Sequence, residues 1–330
     1  VYGQQKHCVV ACNQQTGWNP YHAVVFEKNK PIAFIPNYIK SHSYGEYIFD
    51  WAWANAYGQH GLNYYPKLLN AIPFTPVSGP RILTQQGIDI AKVLTLLADK
   101  IKSECAQNNF SSFHSLYLPE QKSIELADNG FIQRHSFQYH WFNRNPSNGE
   151  PYTDFDEYLQ QLKSRKRKSI AKERRAVVDE RIQLEWLEGE HITNTHWEYF
   201  YQFYQITYAR RSGHGGYLPK AFFKAIGQNI PDNIVLLLAK KDGDYIAGSL
   251  YLKSNDTLYG RYWGCTKQAD FLHFEACIYQ GIEYCIRNKL QKFDAGAQGE
   301  HKLQRGFLPV STWSNHWIQD PRFRNAIAQF

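Results

Sequence analysis

Apolar positions along this chain recur with two different periods, and the order in which the periods alternate occurs twice. His22 to Glu27 and Pro31 to Lys40 are β-rich runs separated by the polar turn Lys28-Asn29-Lys30, which predicts a hairpin. Val235 to Lys240 and Tyr245 to Lys253 repeat the pattern around Lys241-Asp242-Gly243-Asp244, whose Asp-Gly pair is a turn signal. Each hairpin leads into a run dense in aromatics, Tyr47 to Trp53 and Leu258 to Trp263, read as a third strand. Helical spacing follows: Ile90, Val93, Leu94, Leu97 and Ile101 in the first instance, Phe274, Ile278, Ile282 and Cys285 in the second. A short strand comes next, near Phe113 to Leu118 or Phe293 to Gly296. Then Gly130-Phe131, eight residues and His140-Trp141 match Gly306-Phe307, eight residues and His316-Trp317. The pattern predicts one mixed, mostly antiparallel α/β unit present twice, divided as 1–150 and 151–330. The first unit carries an extra segment, Asn55 to Gly87, rich in Gly and Pro, of the kind that more often serves function than linkage.

Between the two units lies a helical block, 154–212. Asp154 is placed to cap a helix that starts at Phe155 and runs through Arg175, with Leu159, Leu162, Ile170 and Val177 on one stripe. Arg165, Lys168, Lys172 and Arg175 line one side of the stripe, and Lys163, Arg167, Arg174 and Arg181 the other. Residues 163–175 hold eight cations and one acid, Glu173, so pairing within the helix does not account for the bias. The flanks are read as phosphate-binding, for RNA or a phosphorylated substrate; the alternative is a solvated charged face. A second helix, Trp197 to Arg211, sets Trp197, Phe200, Tyr201, Tyr204 and Tyr208 on one face, and such a face is expected in the core.

Composition narrows the classes. At 330 residues the chain exceeds one ordinary domain, and 43% apolar residues suffice for a core. No run reaches the roughly 18 apolar residues of a membrane helix and no secretory leader is visible, so a soluble, cytoplasmic protein is expected. Cys8, Cys12, Cys105, Cys265, Cys277 and Cys285 show no paired spacing and read as reduced packing residues rather than metal ligands or disulfides. The net charge of +7 favours an anionic partner.

The stretch Phe293 to Trp317 concentrates the chemistry. Asp294, Gly296, Gln298 and Gly299 let a strand turn sharply into Glu300, His301, Lys302 and Arg305. An acid, an imidazole and two cations after a glycine turn suit proton transfer near neutral pH; a helix start with surface charges is the plainer alternative.

A family resemblance rests on motifs spread over nearly the whole chain. They are His42-Ser43-Tyr44-Gly45-Glu46, Phe49-Asp50-Trp51-Ala52-Trp53, Pro73-Phe74-Thr75-Pro76, Ser164-Arg165-Lys166-Arg167-Lys168 and Gly213-His214-Gly215-Gly216-Tyr217. Leu258-Tyr259-Gly260-Arg261-Tyr262-Trp263-Gly264 and Gly296-Ala297-Gln298-Gly299-Glu300-His301-Lys302 complete the set. In these the sequence resembles the FemAB-like peptidoglycan biosynthesis or recognition proteins of the GNAT acyltransferase superfamily. The resemblance implies tandem GNAT-like domains, in agreement with the repeat. It also implies transfer of an aminoacyl or other activated acyl group from aminoacyl-tRNA, or from acyl-CoA, to an amine of a peptidoglycan precursor. The Q/R-x-x-G-x-G/A loop by which GNAT enzymes grip acyl-CoA is absent: Gly264 to His273 reads Gly-Cys-Thr-Lys-Gln-Ala-Asp-Phe-Leu-His. Acyl-CoA is therefore the weaker donor. No bound cofactor or metal is expected.

Under that reading an amine attacks an activated carbonyl directly. His301 is the expected base, with Glu300 orienting it or serving as base instead, and Tyr262 the acid toward the leaving group. Arg261, Lys302 and Arg305 suit an anionic substrate, with Arg211 and His214 closing over the donor. His42, Glu46, Asp50 and Trp51 are expected on a facing wall. A non-catalytic peptidoglycan-recognition protein and a nucleic-acid-binding protein using only the basic helix are the alternatives.

Overall fold

The structure is a computed structural model, and it describes residues 12, 16–48, 50–297 and 299–329. Cys8, Phe49 and Gln298 lie outside the described residues. In chain order the elements begin with β1 (Trp18–Pro20), β2 (Ala23–Glu27), β3 (Lys30–Ile35), β4 (Asn37–Lys40), α1 (Trp51–Gln59), β5 (Lys67–Asn70) and β6 (Leu83–Thr84). They continue with α2 (Ile90–Gln107), β7 (Ser112–Leu118), α3 (Glu120–Asp128), β8 (Ile132–Phe142), α4 (Phe155–Gln160), α5 (Ser164–Asp179) and β9 (Gln183–Glu188). Next are α6 (Asn194–Ser212), α7 (Lys220–Asn229), β10 (Ile234–Lys241), β11 (Asp244–Lys253) and β12 (Thr257–Cys265). Helix α8 has a first turn (Leu272–Phe274), a π-helical stretch (Glu275–Tyr279) and an α-helical end (Gln280–Arg287). After it come β13 (Lys292–Asp294), the 3-10 turn Glu300–Arg305, β14 (Leu308–Ile318) and α9 (Pro321–Gln329).

The chain forms two α/β units, one of Val1–Phe137 with Ser311–Phe330 and one of Gln138–Val310. The division falls at 137/138 instead of 150/151, and residues 311–330 join the first unit. The reason lies in two long strands. β8 pairs by Phe142, Trp141 and His140 with β13, whereas β14 pairs by residues 313–318 with β7. β8 thus carries the chain from the first unit to the second, and β14 carries it back.

The repeat shows in the register. In the first unit β5 runs parallel to β7 with Leu68 opposite Phe113 and Leu69 opposite His114, and β14 sets Trp317 and His316 against the same two residues. In the second, β12 runs parallel to β13 with Leu258 opposite Phe293 and Tyr259 opposite Asp294, and β8 sets Trp141 and His140 against them. Phe131 and Phe307, each after a glycine of positive φ (84° and 74°), pack on Phe113 and Phe293 with ring centroids 5.7 Å apart in both cases. Glycine is needed there because the left-handed corner crowds a Cβ.

The cores follow the predicted stripes. Val93, Leu94, Leu97 and Ile101 of α2 are buried with Leu68, Phe113 and Phe131. Ile278, Ile282 and Cys285 of α8 are buried with Tyr251, Leu258 and Phe293. Ile170 and Val177 of α5 and Trp197, Phe200 and Tyr204 of α6 are buried as expected. Among the described residues no helix is long and apolar enough to cross a membrane, and the described cysteines are free thiols.

Three local expectations change. The aromatic run 47–53 is not a strand: Gly45 and Tyr47 take positive φ, and α1 begins at Trp51. The third strand of the first unit is β5, inside the segment 55–87 that reads as irregular; its four residues are too short a run for periodicity to show. The basic helix is two helices. Asp154 does cap the first, accepting from the Glu157 amide at 2.7 Å, but the chain leaves helical geometry at 161–163 and restarts at Ser164.

Candidate functional site

In the second unit the parallel β12–β13 ladder ends at Tyr259 and Asp294, yet β12 continues to Cys265. From Gly260 onward β12 has no strand on that side among the described residues. The chain beyond Asp294 turns away through Gly296 (φ 91°) and Gly299 (φ 116°), a path that side chains with a Cβ rarely follow.

Asp294 organises this corner. Its Oδ1 accepts from the Gly296 amide at 2.9 Å and its Oδ2 from the Arg261 guanidinium at 3.1 Å. Burial opposes ionisation of the carboxyl, but Arg261, His140 and these hydrogen bonds outweigh it and hold its pKa below the usual value. The pair Arg261–Asp294 is almost fully buried, and a second Arg261 nitrogen donates to Gly260 O at 2.7 Å. Arg261 thus closes the corner before it meets any ligand.

Lys302 is also buried and donates to Gly296 O at 2.7 Å, which fastens the turn to itself. Burial lowers its pKa to about 8, with Arg261 pushing the same way and Asp294 opposing. An ammonium with its charge so weakly held can stabilise a developing oxyanion or exchange a proton near neutral pH. His301 is exposed, with its ring centroid 5.6 Å from that of Phe274. Desolvation, then Arg305 and Lys302, lower its pKa, so the ring is neutral and able to accept a proton. Glu300 is exposed and makes no hydrogen bond to His301 among the described residues.

Arg305 differs from its expected role as a substrate ligand. It donates to Glu173 at 2.9 Å, to Tyr279 Oη at 2.7 Å and to His301 O at 3.1 Å, and its guanidinium lies 3.9 Å over the Phe274 ring. With these donors engaged and the side chain buried, it braces the turn. Tyr262 turns to the helices, its ring 5.5 Å from Tyr204 and 6.1 Å from Phe223. A packed phenol there explains the aromatic strand better than an acid toward a leaving group does. His214 accepts from the Gly216 amide at 3.1 Å and packs on Tyr217 at 4.8 Å, within the glycine loop that follows the left-handed Gly213 cap of α6. Arg211 is exposed at the end of α6 and acts electrostatically on His273 and Cys277, as Lys302 does. His273 is lowered by desolvation and then by His301, Arg211, Arg305 and Lys302. His273 and His301 each lie 5.6 Å from the Phe274 ring, and the charges of Arg211 and Lys302 both act on the His273 imidazole.

On α5, Arg165, Lys168, Lys172 and Arg175 are all exposed and have no ion pair among the described residues. The other flank is not equivalent. Arg174 is bound to Glu275 and Glu283 at 2.9–3.1 Å, and Arg167 donates to Leu162 O at 2.7 Å. Arg174 is thus neutralised, whereas Lys163 and Arg181 of that flank are exposed without an ion pair among the described residues.

In the first unit, Glu46 and Asp50 are buried around Lys67, which is fully buried as well. Lys67 donates to Ser43 and Glu46 at 2.8 Å and to Asp50. These acids neutralise a core lysine and do not form a wall facing a substrate. Burial raises the Glu46 carboxyl to about 7 against the pull of Lys67. Asp50 goes the other way: burial raises it, but the charge of Lys67 holds it well below the usual carboxylate range. Tyr64 donates to Asp50 at 2.6 Å and meets His114 Nε2 at 3.1 Å. His114 Nδ1 meets His316 Nδ1 at 2.7 Å, and His316 Nε2 meets Ser314 Oγ at 2.9 Å. His42 and Trp51 remain at the surface on either side of the exposed Tyr44, at 5.1 and 5.2 Å from its ring.

Nothing in the local pattern marks Lys67, and it sits in a run read as loop. His140 does belong to a repeated motif, and that repeat is the signal that finds it: it is buried 3.9 Å from Asp294 with both ring nitrogens unpartnered among the described residues.

Comparison with known proteins follows from this geometry. Solved structures share the fold at low identity. FemX has a TM-score of 0.54 at 12% identity, covering 97% of this chain and 93% of that one. The C-terminal domain of a putative lysylphosphatidylglycerol synthetase from Agrobacterium fabrum has 0.55 at 9%, covering 96% and 88%. L-PGS from Bacillus licheniformis has 0.55 at 9%, covering 99% and 96%. Among curated proteins none matches the sequence. The model of the FemAB-like family, described as peptidoglycan biosynthesis/recognition, matches residues 4–330. With the repeat, the fold and this match over nearly its whole length, the chain belongs to the FemAB-like family of peptidoglycan biosynthesis and recognition.

Proposed function

We propose that the protein is an N-acyltransferase that moves an aminoacyl group from aminoacyl-tRNA to an amine of a peptidoglycan precursor. The observation that carries this reading is that Lys302, held on Gly296 O, follows the end of the β12–β13 ladder with His301 and His273 on the Phe274 ring, in a family named for peptidoglycan biosynthesis. In the reaction the acceptor nitrogen attacks the ester carbonyl carbon and the C–N bond forms. The carbonyl oxygen bears the negative charge until the C–O bond to the ribose breaks, and the ribose oxygen leaves with a proton. Lys302 serves the oxyanion, and neutral His301 takes the proton that the amine loses. Holding amine and ester in contact contributes more than either group alone.

Two features support tRNA over acyl-CoA as donor. The segment from Cys265 to Phe271 contains no glycine and ends with Phe271 at φ 63°, so no bare backbone cradle precedes α8. Four exposed cations on α5 offer a track for a phosphate backbone. A recognition protein without transfer is the second reading, favoured by the lack of any carboxylate orienting His301 among the described residues. Incubation of the purified protein with charged tRNAs, acyl-CoAs and muropeptide precursors, read by mass spectrometry, separates them. A mass gain of one amino acid on the precursor supports transfer; binding without a mass change supports recognition.

A further inference from the structure

Helix α5 and the turn Glu300–Arg305 are joined by a set of contacts that phosphate binding alone does not call for. Glu173, the single acid among the cations of residues 163–175, points away from the exposed flank and is buried. It accepts from Arg305 at 2.9 Å, from Ser169 at 3.1 Å and from Tyr279. Tyr279 lies in the π-helical stretch of α8, and its oxygen accepts from Arg305 Nε at 2.7 Å. Two more contacts reach the same turn. Lys166 donates to Gln304 at 2.6 Å, and Tyr158 Oη donates to Arg305 O at 2.7 Å. Arg305 closes the set by donating to His301 O at 3.1 Å. A π-helical insertion in an α-helix is a local irregularity that recurs at functional sites, and here it supplies the bridging hydroxyl.

We infer that Glu173, Tyr279 and Arg305 form a positioning triad that fixes the Glu300–Arg305 turn on α5, so that the helix carrying the free cationic flank also sets the place of His301 and Lys302. The meaning of that placement for turnover rests on the transferase reading; the placement itself does not. A rigid helix is suited to this task because its outer flank and its inner line, Lys166, Ile170, Glu173 and Val177, move as one body. A donor held on the outside would meet a reacting turn whose position is already determined. The charged or titratable groups that act on His301 are Arg305 and Lys302, and His273 is in turn affected by it.

Glu173→Gln and Tyr279→Phe test the triad. The second is the milder change, since it removes one hydroxyl and no charge. Titration of the His301 ring by NMR in the wild type and both variants needs no activity assay. Loosening the turn changes how near Arg305 and Lys302 stand to the His301 ring, so in both variants its midpoint should differ from that of the wild type. Where transfer is detected, kcat should fall about tenfold with the salt dependence of tRNA binding unchanged. Variants that melt earlier while His301 titrates as in the wild type would overturn the inference and leave the triad a stability brace. Absence of transfer in the wild type would count against the transferase reading alone, because the titration still decides the triad.

Discussion

The Nδ1 atoms of His114 and His316 lie 2.7 Å apart across the β7–β14 ladder, so one of them must carry the hydrogen that the other accepts. The surroundings decide which. Asp50 is held ionised beside Lys67 and takes the Tyr64 hydrogen, while Ser111 gives its hydrogen to Tyr64 O and so receives that of Ser112 at 3.1 Å; the Tyr64 and Ser112 oxygens, at 3.1 and 2.7 Å, are then both acceptors for His114 Nε2. His114 is then the Nε2–H tautomer, His316 the Nδ1–H tautomer, and Ser314 donates to His316 Nε2. In the second unit the same register sets His140 against Asp294, and no such chain forms among the described residues.

The tautomers can be read directly. Nitrogen-15 shifts of the two rings should show His114 protonated at Nε2 and His316 at Nδ1, both neutral through the neutral range, since burial lowers both pKa values, that of His316 to about 3. The reverse assignment would mean that Ser112 or Tyr64 donates to His114 Nε2.

Glu46 gives a pH-dependent difference with a definite sign. Its folded pKa of about 7 exceeds the ordinary value of 4.5, so between those values the folded state binds more protons than the unfolded one. Its contribution to stability therefore falls as pH rises through that window. The buried histidines, all lowered, act oppositely below about 6.5, so total stability hides the effect and a difference is needed. Glu46→Gln, compared with the wild type by denaturant unfolding at pH 5 and 7.5, should fare relatively better at pH 7.5. Equal differences at both pH values would show that Lys67 keeps Glu46 ionised throughout.

The free flank of α5 makes a salt-dependent prediction. Changing Arg165, Lys168, Lys172 and Arg175 to Gln should weaken tRNA binding, and each lost phosphate contact should reduce the log-log salt slope by roughly 0.7 to 0.9. These side chains are exposed and unpaired among the described residues, so the melting temperature should change little. An unaltered slope would make the flank a solvated surface.

His301→Gln isolates the proton acceptor. The ring is exposed and its loss opens no cavity, so folding should be unaffected, whereas acyl transfer should fall by about 10² to 10⁴, the usual worth of general base catalysis. Full retention of transfer would remove His301 from the reaction and leave Lys302 to account for it. Assays of the two substitutions in parallel, His301→Gln and Lys302→Gln, would divide the proton step from charge stabilisation.

Features that depend on neighbours along the chain are legible in the order of residues alone. Helix stripes such as Val93, Leu94, Leu97 and Ile101, the Asp154 cap, the hairpin at Asp242-Gly243 and the twofold Gly-Phe…His-Trp spacing are local signals, and the structure keeps each of them. Family membership was legible for the same reason, because its motifs are contiguous. Tertiary structure decided which charges remain available. Arg305 and Arg165 are both cations in polar stretches, but one is neutralised by Glu173, 132 residues away, and the other has no partner among the described residues. Glu46 and Asp50 read as a polar surface until Lys67 draws them inward. A buried charge is tolerated only with its counter-charge, and the partner that permits burial comes from a distant strand or helix that no periodicity along the chain can reveal.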